Sequence, residues 1–232
     1  MRAATSILRA RINIVPVSTT MPELDTDPYI QGLWPYTITE FVSQSNHNKT
    51  PLCFKIIAKL LCTTRDYHIV YFTTKGTFSE EAVVDLVKGY GKNPELVQRR
   101  VKVYDIHKLD GLISAYNAIK VYHINIHKLG LVVIDGIQVF FKDTVDDVPD
   151  YMDIPVMTKF FQSIKVLAVI AKFPVLCTND LAVEVKGGNI YLTPYLDERY
   201  CQFIDLRVSL DKIIGEDGEE KWVPNMVTPR TK

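Results

Sequence analysis

From residue 37 onward, short runs of β-branched and aromatic residues alternate with longer segments whose apolar positions recur at helical spacing. The short runs predict strands at 37–42, 68–73, 101–106, 131–134 and 175–178. The longer segments predict helices at 51–63, 80–88, 109–123 and 156–173. Because the strands lack strict alternation, we expect helices on both faces of the sheet. The order of elements predicts an α/β fold with a doubly wound, mostly parallel sheet.

The pattern changes after a Gly187-Gly188 turn. Strands are predicted at 189–192, 203–213 and 221–227, and the last two are joined by a Gly-Glu-Asp-Gly turn. These strands indicate an antiparallel C-terminal extension over residues 187–232. Since no linker, repeat or low-complexity run interrupts the sequence, residues 1–232 are predicted to form a single domain.

The first residues form a lead-in segment, 1–36, in which no acidic residue precedes Glu23. Arginines among Ser, Thr and apolar residues at 1–22 fit a mitochondrial presequence as well as a first strand. The β-rich positions Ile12, Ile14 and Val17 favour the strand.

Composition narrows the function classes. The chain has 27 basic and 27 acidic side chains, so no overall positive field indicates nucleic-acid binding. Any DNA contact must come from a local patch or a partner. The four cysteines form no C-x-x-C pair and are typical of reduced thiols in an intracellular protein. The most apolar stretch, 163–173, carries two lysines and is too short to span a bilayer.

A polar loop at 43–50 follows the first predicted strand, and ligands bind at such loops in doubly wound sheets. Compared with the phosphate-binding loop G-x-x-x-x-G-K-T, it keeps Lys49 and Thr50 but has Ser43 and Asn48 where the glycines belong. Those glycines allow positive φ and let N–H groups close around phosphates. Asn48 tolerates a left-handed conformation better than Ser43 does. Taken alone, the loop favours an ordinary N-capped helix.

Other segments extend the comparison in order along the chain. They are Glu23-Leu24-Asp25, Gln31-Gly32, Ile38-Thr39-Glu40-Phe41, Leu52-Cys53, the run from Val70 to Phe78, the run from Gly130 to Asp135, Thr178-Asn179-Asp180, the run from Thr193 to Leu196, and Asp205 to Val208. Together these segments resemble the RecA-type recombinases of eukaryotes and archaea. The resemblance implies a RecA-like core of the P-loop type, without the N-terminal helical domain of full-length recombinases.

The resemblance also implies a nucleotide site. Lys49 would contact phosphate, Thr50 and Asp135 would hold Mg²⁺, and Lys75, Asn179 and Asp180 would face the site. Besides the loop glycines, two further residues depart from the family pattern. Lys75 replaces the Glu that orients the attacking water, and a protonated lysine has no acceptor lone pair. Asp180 replaces a Gln that senses the γ-phosphate, and its negative charge repels an anion.

We therefore expect no catalytic residue, no metal site and no hydrolysis. A vestigial site is predicted, in which Lys49 or Lys75 forms an internal ion pair with Asp135 in place of a metal. Weak binding of ATP with Mg²⁺ stays an alternative. His123 and His127 share a helical face but lack a third ligand, so their spacing is attributed to chance.

Two loops carry single-stranded DNA in the resembling family. The first, which contains Lys142, has an aspartate-rich stretch at 143–153 that repels phosphates. The second offers Lys186 and Arg199 beside tyrosines, and these two residues are the predicted DNA contacts. The pair Arg99-Arg100 indicates a solvated approach to a strand, and a contact with a partner or a phosphate backbone stays open.

The resemblance implies a non-catalytic recombinase paralogue, similar to the degenerate subunits of Shu-type complexes. Such a subunit pairs with other paralogues and a recombinase, assists filament assembly on single-stranded DNA, and is nuclear. One alternative is a weak DNA-dependent ATPase of the same family. Another is a protein adaptor that touches neither nucleotide nor DNA.

Overall fold

The computed structural model describes residues 15–44, 47–107, 110–126, 128–141, 153–195, 198–214 and 220–229. Their strands are β1 (Ile38–Gln44), β2 (His68–Thr73), β3 (Val101–Asp105), β4 (Leu129–Asp135), β5 (Val175–Lys186), β6 (Asn189–Pro194), β7 (Leu206–Ile214) and β8 (Glu220–Pro229). Their helices are α1 (Pro22–Asp25), α2 (Thr50–Thr63), α3 (Glu80–Gly89), α4 (Glu95–Arg100), α5 (Asp110–Ile126), α6 (Asp153–Ala171) and α7 (Glu198–Cys201), with a 3-10 helix at Ile137–Phe141.

Within the described residues, eight strands form one sheet in the order β3-β2-β4-β5-β1-β7-β8, and β6 pairs with β5. The pairs from β3 through β7 are parallel, while β5–β6 and β7–β8 are antiparallel. The predicted α/β class and the mostly parallel sheet with an antiparallel C-terminal end are therefore confirmed. Because these strands are parallel, the polar loops that follow them lie at one edge of the sheet.

Helices cover both faces of the sheet, as the unbroken apolar strands predict. On one face, α5 and α6 place Leu112, Ile119 and Ile164 in a buried cluster with strand side chains. On the other face, α2 and α3 contribute a second cluster. The strand residues alternate between the two clusters, with Val132 in one and Val133 in the other. The core thus consists of two apolar layers, one on each face of the sheet, which together hold the parallel strands in position.

Several sequence predictions need correction. The predicted strand 175–178 continues to Lys186, because its second half pairs with β6 in a hairpin that extends beyond the sheet. Helix α4 was not predicted, and β7, expected only in an antiparallel tail, also lies parallel to β1. At the N-terminus, Val17 makes a single antiparallel bridge to Leu33, while residues 1–14 lie outside the described residues.

The Gly-Glu-Asp-Gly turn likewise lies outside the described residues. Among the helices that are described, none is both long and apolar enough to cross a membrane.

Candidate functional site

The side chain of Lys49 lies at the start of α2, where the loop after β1 meets the end of β5. Its Nζ donates hydrogen bonds to Asp180 Oδ1 at 2.9 Å, Ser43 Oγ at 2.8 Å and the His47 carbonyl at 3.3 Å. The side chains of Lys49 and Asp180 are only 4% and 6% exposed. The predicted internal ion pair therefore exists with a different acid, because Lys49 pairs with Asp180 and not with Asp135.

The register of the sheet explains this pairing. Strands β1 and β5 run parallel with Ser43 opposite Asp180, so the two oxygen-bearing side chains that contact Lys49 are neighbours across the strands. The second Asp180 oxygen accepts a hydrogen bond at 2.8 Å from Nε2 of Gln138, a buried residue of the 3-10 helix after β4. No sequence pattern points to Gln138, since its position depends on that short helix.

Burial lowers the pKa of Lys49 below its ordinary value. The carboxylates of Asp180 and Asp135 oppose that shift, while the nearby positive charge of Lys75 adds to it. Lys75 itself is exposed on the loop after β2. The site therefore contains one buried cation whose charge is already balanced by a carboxylate in direct contact.

Asp135, the last residue of β4, accepts hydrogen bonds from three hydroxyl groups. Thr50 Oγ1 and Tyr71 OH donate to Oδ2 at 2.5 and 2.6 Å, and Thr178 Oγ1 donates to Oδ1 at 2.6 Å. Burial raises the pKa of Tyr71, which keeps the phenol protonated and able to donate. The sequence pattern does not single out Tyr71 and Thr178, because both lie within apolar strands. The predicted pair Thr50 and Asp135 is in direct contact.

The amino-terminal turn of α2 has its N–H groups occupied. Thr50 N–H donates to Asn48 Oδ1 at 3.1 Å, Pro51 has no N–H, and Leu52 N–H donates to the Lys49 carbonyl at 3.0 Å. Asn48 is not among the described residues with positive φ, so its backbone does not imitate a glycine, and its side chain accepts from the first N–H of α2. These three helical positions therefore offer no free N–H donor to a phosphate.

Asn179 faces away from Lys49, contrary to expectation. Its Nδ2 donates to Glu40 Oε1 at 2.8 Å, and Arg207 pairs with the other Glu40 oxygen. Glu40 is fully buried, and that burial raises its pKa while Arg207 opposes the rise. This cluster joins β1, β5 and β7 and is structural.

The predicted DNA contacts fall at the margin of the described structure. The backbones of Lys186, at the end of β5, and Arg199, in α7, are described, but their side chains lie outside the described residues. Residues 142–152, His127 and the side chain of His123 also lie outside the described residues.

Arg100 was expected to be solvated, but it is buried and only 6% exposed. Its guanidinium donates to the carbonyls of Leu61, Thr64 and Tyr67. It thereby caps the carboxyl end of α2, which has no basic residue in its own last turn.

The Rad51 family model matches residues 10–198. The chain belongs to the Rad51 family. Membership confirms the RecA-like fold and a connection with DNA recombination and repair. The Rad51 match includes the strands β1 to β6 and ends before β7, so the antiparallel pair β7–β8 lies beyond it. No curated protein sequence matches the chain.

Proposed function

We propose that this Rad51-family chain is a non-catalytic subunit of a nuclear complex for homologous recombination. In that complex it pairs with other paralogues and a recombinase, and assists recombinase filament assembly on single-stranded DNA. The observation that carries the proposal is the buried contact between Lys49 and Asp180. The lysine that would bind phosphate is paired with a side chain of the chain itself.

Hydrolysis lacks the group that it needs. The attacking water must be oriented by an acceptor near the γ-phosphate, and Lys75 stands at the position where the family has a Glu. A protonated lysine donates and does not accept.

Binding of a triphosphate is opposed by charge and by geometry. A phosphate that reached Lys49 would have to displace the Asp180 carboxylate, which would then lie next to another anion. The first turn of α2 offers it no N–H at Thr50, Pro51 or Leu52. On this basis we propose that the chain works without ATP and Mg²⁺.

The β5–β6 hairpin has an exposed apolar face, which supports the proposal that the chain binds a protein partner. Val183 lies opposite Leu192 and Val185 opposite Ile190, which places four aliphatic side chains on one face. These four side chains are 51% to 73% exposed, and β6 pairs only with β5 among the described strands. An exposed aliphatic edge strand is a site of aggregation unless another protein covers it. We assign this face to another Rad51-family subunit.

The proposal is tested on the chain purified with its partner subunits. Bound nucleotide, ATP turnover and single-stranded DNA affinity are measured on the same sample, with Lys49→Ala as the control. We expect no bound nucleotide and no turnover above background, with or without DNA. Turnover that disappears in Lys49→Ala would establish the weak ATPase instead. A complex that binds DNA equally well without this chain would make it an adaptor.

A further inference from the structure

Two adjoining open cavities cross the amino-terminal edge of the sheet, opposite the Lys49 site. Their volumes are about 450 and 440 Å³, and they share Arg65, Asp66 and Lys128. One extends to Arg99 in α4, and the other extends to Lys172, just after α6. Together they form a continuous trough beneath the first residues of β2 and β4. We call this feature the basic trough.

The charge of the basic trough is strongly positive. Its described lining contains five cations, Arg65, Arg99, Arg100, Lys128 and Lys172, and one carboxylate, Asp66. Because the whole chain has equal numbers of acidic and basic side chains, this excess is a local feature. Such a concentration of one sign attracts a polyanion.

Internal contacts do not neutralise this charge. Lys128 pairs with Asp66 at 2.7 Å, and both side chains are more than half exposed. Arg100 donates to carbonyl oxygens and a hydroxyl, which position its guanidinium without a direct carboxylate contact. Arg65, Arg99 and Lys172 are exposed. Three accessible cations therefore remain after the Lys128–Asp66 pair is set aside.

An exposed aromatic ring lies in the same trough. Tyr67 lines the second cavity and is 46% exposed. Its ring packs directly on Gly130, where an added Cβ would lie 2.8 Å from Tyr67 Cγ. Only glycine at residue 130 leaves room for this ring position. A fixed aromatic face beside cations is the combination that single-stranded nucleic acids use, because bases stack while phosphates follow the charges.

We propose that the basic trough binds single-stranded DNA, with phosphates on Arg65, Arg99 and Lys172 and a base stacked on Tyr67. The choice of DNA as the polyanion rests on the proposed role in recombination. This surface lies at the opposite edge of the sheet from the β5–β6 hairpin, whose β5 strand ends at Lys186. The subunit would thus hold a strand on a face that the nucleotide edge does not use.

The test is fluorescence anisotropy of the full chain with a labelled oligothymidine, over a series of salt concentrations. Three phosphate contacts give a log–log salt slope of about −2. Arg65→Glu combined with Arg99→Glu should weaken binding at least about tenfold and leave a slope no steeper than about −0.7. Tyr67→Ala should weaken binding about fivefold or more with an unchanged slope.

The matched control is Lys55→Glu combined with Lys120→Glu, which makes the same change in net charge on exposed helix positions outside the trough. It should bind like the wild type, and circular dichroism melts verify that all variants are folded. The proposal is overturned if both double variants lose affinity equally, if neither does, or if the wild type does not bind. It is also overturned if the trough variant loses binding to an acidic peptide but not to DNA. ATP turnover of the same samples tests the proposed function separately.

Discussion

Replacing Lys49 with methionine separates a structural lysine from a phosphate-binding one. In the structure, Lys49 Nζ and Asp180 Oδ1 are 2.9 Å apart, and both side chains are almost fully buried. Removing one member of such a pair leaves the other charge uncompensated, which costs about 3–5 kcal/mol. For a chain of this size, that loss corresponds to a fall in Tm of about 6–20 °C. If Lys49 instead served only to contact a bound phosphate, its replacement would lower the Tm of the nucleotide-free protein much less.

A double-mutant cycle isolates the pair. Asp180→Asn keeps an oxygen for Gln138 but leaves the Lys49 charge without its carboxylate. Lys49→Met combined with Asp180→Asn removes both charges, and neutral replacements of buried pairs are often tolerated. The double variant should therefore be more stable than either single variant, with a coupling free energy within the range of about 0.5–3 kcal/mol seen for contacting residues. Lys55→Met, at an exposed position of the same helix, should change stability by less than about 0.5 kcal/mol.

Urea unfolding followed by circular dichroism gives the four free energies, with and without ATP and Mg²⁺. One result would refute the reasoning. It is a wild-type protein stabilised by ATP, in which Lys49→Met abolishes that stabilisation but costs less than about 1 kcal/mol in the absence of nucleotide. Lys49 would then be a phosphate ligand, and the contact with Asp180 would be one that a nucleotide displaces.

Two further variants test the Glu40 cluster and the hairpin. Arg207→Met should destabilise the chain by about 3–5 kcal/mol near neutral pH. Burial raises the pKa of Glu40, so the folded protein takes up a proton on Glu40 more readily than the unfolded chain does. The stability lost in Arg207→Met should therefore shrink as the pH falls through that raised pKa and grow as the pH rises. Equal losses at pH 7 and pH 5.5 in urea unfolding would contradict this prediction. Val185→Asp with Ile190→Asp should abolish co-purification of partner subunits without lowering Tm, while Val166→Asp with Ile170→Asp, on exposed positions of α6, should leave co-purification intact.

The alternation of strands and helices was sufficient to predict where the site lies. In a parallel sheet, the carboxyl ends of the strands meet at one edge, so Lys49, Asp135 and Asp180 had to come close together. The partner of Lys49 was not predictable from this argument. It depends on the register between β1 and β5 and joins residues 131 positions apart. From the sequence, the expected partner was Asp135 at the end of β4.

The buried position of Arg100 was not predictable from the sequence pattern. Two adjacent arginines before a strand are usually solvated, and this was the expectation for Arg99 and Arg100. Only the folded chain brings the carboxyl end of α2 against α4, so that its free carbonyls receive the Arg100 guanidinium. The available signal was that α2 has no basic residue in its last turn. The basic trough could not be predicted either, because its cations come from four separate connections.

Three residues that depart from the family pattern contact Lys49 or Thr50. Asp180 balances Lys49, Ser43 accepts from Lys49, and Asn48 occupies the Thr50 N–H. Gln at residue 180 would leave the Lys49 charge buried among neutral oxygens, while the first turn of α2 would still lack donors for phosphate. A site that had only lost its function would contain unpaired buried charges, since each substitution would remove one partner at a time. On the proposed function, the internal pair replaces the stabilisation that a bound nucleotide gives to active relatives, so that the core stays folded without a ligand.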